Sequence, residues 1–183
     1  MQHGFYFDHR SCIKCHACEI ACKTWNEVDE GLSWRQVVKV TSGAFPKVRQ
    51  INVSMACMHC GAPPFRDACP VGAITKRSED GIVVVDAKTC IGCGFCVWAC
   101  PFNAPQVGRD GKMGKCNFCQ TPGKERPLDL PRACEEVCPT NAIRTGSMAD
   151  LSSANRVRAA ERLTGAARDA LPSLMLDASG GRG

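Results

Sequence analysis

A chain of 183 residues with fifteen cysteines but only 6% aromatic residues is long enough for one domain or two small ones, and thin in the ring side chains that fill an ordinary core. Its formal charge of +5 comes from scattered Lys and Arg with no nucleic-acid motif, so the charge reads as solvated surface and nucleic-acid binding is excluded. No apolar run approaches a membrane span, and residues 1–10 lack the apolar centre and cleavage pattern of a secretory signal. The expected setting is a reducing cytoplasm that keeps thiols free, with export alongside a signal-bearing partner left open.

Residues 5–7 read as a short strand. Cys12, Cys15, Cys18 and Cys22 follow at intervals of three, three and four. Two residues between cysteines let a tight loop wrap one face of an iron–sulfide cube, and a fourth cysteine one helical turn later points away from it. This is the spacing of the bacterial ferredoxin run for a 4Fe-4S cluster, in which the fourth cysteine serves a neighbouring cluster. Lys23 stands where a proline would end the run, so a helix over residues 18–28 is predicted. His3, His9, His16 and His59 have no partner at metal-site spacing and are expected at the surface. Residues 29–55 hold no cysteine. Their β-branched stretches 34–41 and 47–55, separated by Ser42, Gly43 and Pro46, predict a hairpin-like excursion. Trp25 and Trp34 are expected to pack rather than to carry electrons.

The second group is incomplete. Cys57, Cys60 and Cys69-Pro70 have the outline of a ferredoxin run, but counting back four from Cys69 lands on Phe65, where a third ligand of the triplet would stand. A β-hairpin is predicted over 73–76 and 82–86, turning at 78–81. The third group, Cys90, Cys93, Cys96 and Cys100 followed by Pro101, is the most regular; Gly92 and Gly94 let its backbone approach sulfide closely and take positive φ. A structural zinc site would favour two separated ligand pairs, so a zinc knuckle or a disulfide framework fits this run poorly. A Gly- and Lys-rich loop over 107–115 leads to Cys116, Cys119, Cys134 and Cys138-Pro139. The insertion over 120–133, with three prolines, is predicted to be a surface loop, and residues 140–145 a closing strand. The segment CPTNAI after Cys138 echoes CPVGAI after Cys69, an internal repeat.

From residue 147 the pattern changes. Leu151, Ala154, Arg158, Leu163, Ala167, Leu171 and Leu174 mark an approximately helical apolar stripe, with Pro172 set to end or kink it. Such a helix either packs back on its own domain or is an arm that docks on a partner or on a second copy through residues 148–176. The predicted fold is α+β, with two pseudo-symmetric bacterial-ferredoxin-like lobes, β-hairpin insertions and a C-terminal helical arm. Residues 56–111 form one lobe. Residues 1–28 and 112–146 form the other, which requires the first and fourth groups to meet across the chain. Residues 29–55 are a β-rich insertion and 147–183 the tail. With so thin an ordinary core, bound clusters are expected to supply much of the folding free energy.

The group order four, three, four and four, the long insertion inside the fourth group and the Cys22-Lys23 ending of the first resemble the four-cluster ferredoxin subunits of molybdenum and tungsten pterin oxidoreductases. That family includes the electron-transfer subunits of dimethyl sulfoxide reductase, nitrate reductase and formate dehydrogenase. The resemblance covers residues 4–146. It implies one cluster on Cys12, Cys15, Cys18 and Cys138 and a second on Cys116, Cys119, Cys134 and Cys22. A third would use Cys90, Cys93, Cys96 and Cys69, leaving Cys57, Cys60 and Cys100 for the fourth, with Phe65 in the vacant slot. Phenylalanine cannot bind iron, so the fourth centre is either 3Fe-4S or a cube whose last iron takes water or an oxygen ligand such as Asp67. With no nucleophile–base pair, nucleotide loop or pterin site in sight, the chain is expected to be an electron-transfer subunit and not an enzyme on its own. Its expected partner is a catalytic metal-pterin subunit, with a cytoplasmic tungsten or molybdenum aldehyde oxidoreductase preferred, and a flavin- or quinone-linked subunit is a candidate acceptor. A free polyferredoxin serving several enzymes is the alternative, and a zinc-bound module the remote one.

Overall fold

The computed structural model describes residues 1–166, in which each cysteine group sits at the junction of short elements. Strand β1 (His3–Phe7) leads into the first group, whose last two cysteines lie on helix α1 (Ala17–Asn26). The helix stops at Glu27, which turns left-handed (φ 51°) and caps the Lys23 carbonyl with its N–H, a common way to satisfy a helix C-terminus. Strands β2 (Arg35–Ser42) and β3 (Arg49–Ala56) form the predicted hairpin, Arg35 opposite Ala56 and Ser42 opposite Arg49. Alternation gives this ribbon two unlike faces. Val37 and Ser54 are buried, while Val38, Val40 and Ile51 are exposed. The inner face rests against α1, and the Val37 N–H donates to the Glu19 carboxylate.

Helix α2 (Pro64–Asp67), a single turn begun by proline, precedes the hairpin of β4 (Ile74–Lys76) and β5 (Val83–Val85), where Ile74 pairs with Val85. The turn of this hairpin is closed from within by buried Asp80, which accepts the Ile82 N–H at 2.9 Å and pairs with Arg77. Lys76 ties it to the N-terminus, donating to the Gln2 amide oxygen at 2.7 Å and to the Cys60 carbonyl at 3.0 Å. Helix α3 (Phe95–Ala99) carries Cys96. The predicted loop over 107–115 contains a two-residue ladder, β6 (Gln106–Val107) with β7 (Met113–Gly114).

The insertion over 120–133 is not simply a surface loop. It holds a second small ladder, β8 (Gln120–Thr121) with β9 (Lys124–Glu125), and is pinned from below by Arg132. That side chain is 1% exposed and donates to the carbonyls of Phe118 (3.1 Å), Arg126 (2.9 Å), Pro127 and Leu130 (2.5 Å). Carbonyls outside a regular ladder still need donors, and a buried guanidinium supplies several at once.

Helix α4 (Ala133–Glu136) and strand β10 (Ile143–Ser147) complete the cysteine-bearing part. Strand β10 pairs antiparallel with β1, Phe7 opposite Ile143 and His3 opposite Ser147, and α1 packs on α4. The first and fourth groups therefore meet across the chain. The fold of the described residues is α+β, with five antiparallel sheets of two strands each. Its core is largely sulfur: Cys18, Cys22, Cys57, Cys90, Cys96, Cys100, Cys116, Cys119 and Cys134 are buried beside Phe65, Ile82, Val83, Phe118 and Ile143.

The first compact unit ends at Met148, and the described residues from Ala149 on, within helix α5 (Met148–Ala166), fall in a second unit. Ala154, expected on an apolar stripe, is exposed, as is Val157. Ala167, Leu171 and Leu174 of that stripe, and the expected break at Pro172, lie outside the described residues. Among the described residues no helix is long and apolar enough to cross a membrane.

Candidate metal centres

One backbone conformation recurs in all four cysteine groups. The residue just before the second cysteine is left-handed in each: Lys14 (φ 59°), His59 (49°), Gly92 (71°) and Phe118 (60°). In the first and third groups the residue after that cysteine is left-handed too, His16 at 61° and Gly94 at 79°. Such a turn gathers successive N–H groups on one side of the chain, a concavity suited to an anion. Glycine marks it in the sequence only at Gly92 and Gly94. Lys14, His59 and Phe118 adopt it with a side chain, against a preference of about 1–2 kcal/mol each.

All fifteen cysteines are free thiols; nine are buried, and Cys15 and Cys93 are exposed. Cys12, Cys15, Cys18 and Cys138 line one small cavity, walled by Phe7, Val37 and Ile143. Cys69, Cys90, Cys93 and Cys96 line another, walled by Ile74, Val85 and Met113. Cys22 stands among Cys116, Cys134 and Cys119: burial pushes its thiol up, and the charges of those three push the same way. Cys57 is likewise raised by burial, with Cys100 and Cys60 adding to it and Lys115 pulling against it. Cys116 is pushed up to about 12 by burial, although Arg35 opposes the shift. Thiols this deep stay protonated unless a cation holds the thiolate. An iron–sulfide cage is such a cation source, and the four sets fit it. Among the described residues no three His, Cys, Asp or Glu side chains converge on one ion; the sets line spaces, and a cube takes one thiolate per iron.

Phe65 is 2% exposed and packs in one buried cluster with Cys57 and Cys100, beside the group that is one cysteine short. Asp67, by contrast, faces solvent. One-turn α2 carries it outward, where its carboxylate binds Arg66 at 2.7 Å and the side chain is 63% exposed. Sulfurs elsewhere already have donors: Ala142 N–H at 3.2 Å from Cys138, Met113 N–H at 3.5 Å from Cys90, and the Asn26 amide at 3.7 Å from Cys22.

Besides His3 and Arg132, three buried basic side chains stand among the sets, and their roles are not visible in the sequence. His59, expected at the surface, is fully buried: its Nδ1 accepts the Val83 N–H at 3.0 Å, and its ring meets Phe118 edge-on at 5.5 Å. Burial, then the nearby cations Lys115 and Lys76, hold its pKa well below the ordinary histidine value. The ring is therefore neutral, with its proton on Nε2, which has no partner among the described residues. His3 is buried as well, edge-on to Phe118. Lys115, 2% exposed, donates to the carbonyls of Val83 (2.5 Å) and Cys116 (3.0 Å) and lies 5.9 Å from the centre of the Phe65 ring. Burial lowers its pKa, and the charges of Cys57, Cys116 and Cys100 counter that. Arg35 is the third. Its sequence signal was alternation, since it shares the inward face of β2 with Val37.

Residues 48–148 match a family model described as a 4Fe-4S dicluster domain. The protein is 36% identical to the formate dehydrogenase iron-sulfur subunit of Wolinella succinogenes, covering 89% of this chain and 90% of that one. It is 36% identical to a subunit of the anaerobic dimethyl sulfoxide reductase of Escherichia coli, covering 82% and 76%. It is 40% identical to the thiosulfate reductase electron transfer subunit of Salmonella typhi, covering 80% and 77%.

Gly92 joins its left-handed φ to a close approach, for a Cβ there would stand 2.3 Å from the Gly111 carbonyl oxygen. Lys14, His59 and Phe118 accept similar backbone with a side chain, so the clash is the larger effect. Gly92→Ala is expected to push the turn over 108–112 aside, destabilise the fold by about 2 kcal/mol and lower the iron bound per chain. Unchanged iron content and melting temperature would show that the loop accommodates the methyl group.

Proposed function

The chain belongs to the family of iron–sulfur electron-transfer subunits of molybdopterin oxidoreductases, with the 4Fe-4S dicluster domain they carry, and on that premise we propose that it relays single electrons through four clusters between a catalytic metal-pterin subunit and a second partner. The relatives are iron–sulfur subunits by name, and this protein accordingly works as a subunit and not as a catalyst on its own. Each cluster, when bound, takes up and releases one electron. The residues that would hold them are Cys12, Cys15, Cys18 and Cys138; Cys22, Cys116, Cys119 and Cys134; Cys57, Cys60 and Cys100; and Cys69, Cys90, Cys93 and Cys96. Three of these centres would be 4Fe-4S. The one beside Phe65 would be 3Fe-4S, or a cube whose last iron takes water.

The observation that carries the reading is the repetition of one left-handed turn at the same place in all four cysteine groups. Neighbour relations among the thiols support a linear relay. Charge on Cys134 acts on Cys18, joining the first set to the second, and Cys57 acts on Cys116, joining the second to the third. Cys57 and Cys100 share a buried cluster with Cys90 and Cys96, joining the third to the fourth. The exposed thiols Cys15 and Cys93 belong to the two end sets, and exposed apolar side chains flank each in sequence: Ile13 and Ile20 near one, Ile91, Phe95 and Trp98 near the other. That arrangement suits a subunit covered by a partner at either end. The two-lobe division, with residues 56–111 as one lobe and 1–28 with 112–146 as the other, is part of this proposal. So is a cytoplasmic setting, or export with a signal-bearing partner. A tungsten aldehyde oxidoreductase as the catalytic subunit, and a flavin- or quinone-linked acceptor, are its narrower forms.

Anaerobic purification of the native protein should bring with it a large metal-pterin protein, whose metal content distinguishes tungsten from molybdenum; recovery of the chain alone would overturn the proposal in favour of a free carrier. Phe65→Cys should give the third set its fourth thiolate and convert its EPR signal to that of an ordinary cube, and identical spectra before and after would remove Phe65 from the ligand slot. If the C-terminal unit joins copies or partners, deleting residues 149–183 should leave cluster absorbance intact while lowering the assembly mass on a sizing column. Unchanged mass would refute the docking arm.

A further inference from the structure

Arg35 opens β2 with its side chain 3% exposed, and only one of its three nitrogens has a partner. Nη1 donates to the Ser54 hydroxyl at 3.0 Å, whereas Nε and Nη2 have no acceptor among the described residues. The guanidinium lies 4.6 Å from the centre of the Phe5 ring, which fixes it against a wall. A guanidinium carries five N–H groups and no acceptor, and leaving the three on Nε and Nη2 unmet in a buried site is strongly unfavourable. Something accepts them in the working protein.

The surroundings point to what that is. Burial works against the Arg35 charge, and thiolate charge on Cys134, Cys116, Cys22 and Cys18, as metal-bound cysteines carry, outweighs it. Those four belong to two different ligand sets. Ser54 lies 3.6 Å from the Cys18 sulfur. Its oxygen already accepts from Arg35, and a metal-bound thiolate can only accept, so the hydroxyl proton is directed at Cys18.

We propose that Arg35 is a positioning residue shared by two iron–sulfur centres, its free Nε and Nη2 groups donating to the sulfurs of the cluster on Cys12, Cys15, Cys18 and Cys138 and of the cluster on Cys22, Cys116, Cys119 and Cys134, so that it raises the reduction potential of both. The inference rests on the ligand sets proposed above. Its direction follows from charge. One-electron reduction adds one negative charge to a cluster, and a fixed cation with sulfur-directed donors favours that more negative state. Because a guanidinium stays protonated throughout the accessible range, the effect does not vary with pH.

The test is an EPR-monitored redox titration of the holoprotein in its complex, after iron content and spin count have shown whether the wild type holds four centres; any other number would refute the ligand sets and not the role of Arg35. In Arg35→Met, which keeps bulk and removes charge and donors, two of the four midpoints should fall by about tenfold or more in the reduction equilibrium, about 59 mV each, while the other two hold. Arg35→Lys should restore more than half of that shift, a rescue that a purely steric role would not produce. Four unmoved midpoints, or four that move together, would overturn the proposal. Where Arg35→Met fails to load its clusters, Arg35→Gln decides, since it keeps a planar donor group and removes the charge. The same two midpoints should then fall and the other two hold, and four unchanged midpoints would again overturn it.

Discussion

Nine thiols lie buried with no disulfide to join them, and the rest of the structure depends on what those sulfurs hold. Every element around them is too small to stand alone. Two-stranded sheets are marginal in water, and helices of four or five residues such as α2, α3 and α4 are far below the length at which a helix persists unaided. The usual remedy is a continuous apolar core, but here the space between elements is occupied by cavities lined with cysteine. On the proposed ligand sets, metal–sulfur bonding would supply the cohesion that packing does not, and folding and cluster loading would be one event. The pairing of β1 with β10 brings the first and fourth groups together from opposite ends of the cysteine-bearing part, as a shared pair of centres would require.

That cohesion brings an electrostatic burden. Clusters with thiolate ligands are net negative, and several of them in one small chain would repel one another. The interior answers with fixed positive groups placed between sets and not inside them. Arg35 faces thiols of the first two sets, and Lys115 faces Cys57, Cys100 and Cys116 of the second and third. Phe5, Phe118 and the neutral ring of His59 pack between these cations, keeping water out and the positive charges in place. Position, more than number, is what lets so few cations serve.

What could be read from the sequence, and what could not, divides along physical lines. Cysteine spacing is set by the size of a cube, so the four groups, one of them a cysteine short, were legible by counting. The ribbon was legible as well, because β-branched runs at 34–41 and 47–55 ended within a residue or two of β2 and β3. Residues whose environment is made by distant segments were not. His59 is buried because a strand twenty-four residues later presents the Val83 N–H to it. Arg132 is buried because the insertion folds its carbonyls inward. Asp67 is exposed and paired with Arg66 because one-turn α2 buries Phe65, two residues earlier, on its other side. Spacing along the sequence carries no information on which way such short turns face.

The β2–β3 ribbon presents Val38, Val40 and Ile51 outward, with Phe45 92% exposed between the strands. A short ribbon with an apolar face and unpaired edges is a surface along which identical molecules stick to one another. Its composition works against this. Residues 31–66 contain no Asp or Glu, and Arg49, opposite Ser42, shares the face of Val40 and Ile51, while Lys39 lies on the other face with Val37. Copies meeting ribbon to ribbon on the apolar face would bring Arg49 against a surface with no carboxylate to pair with it, so the absence of acidic residues disfavours self-pairing of the hairpin.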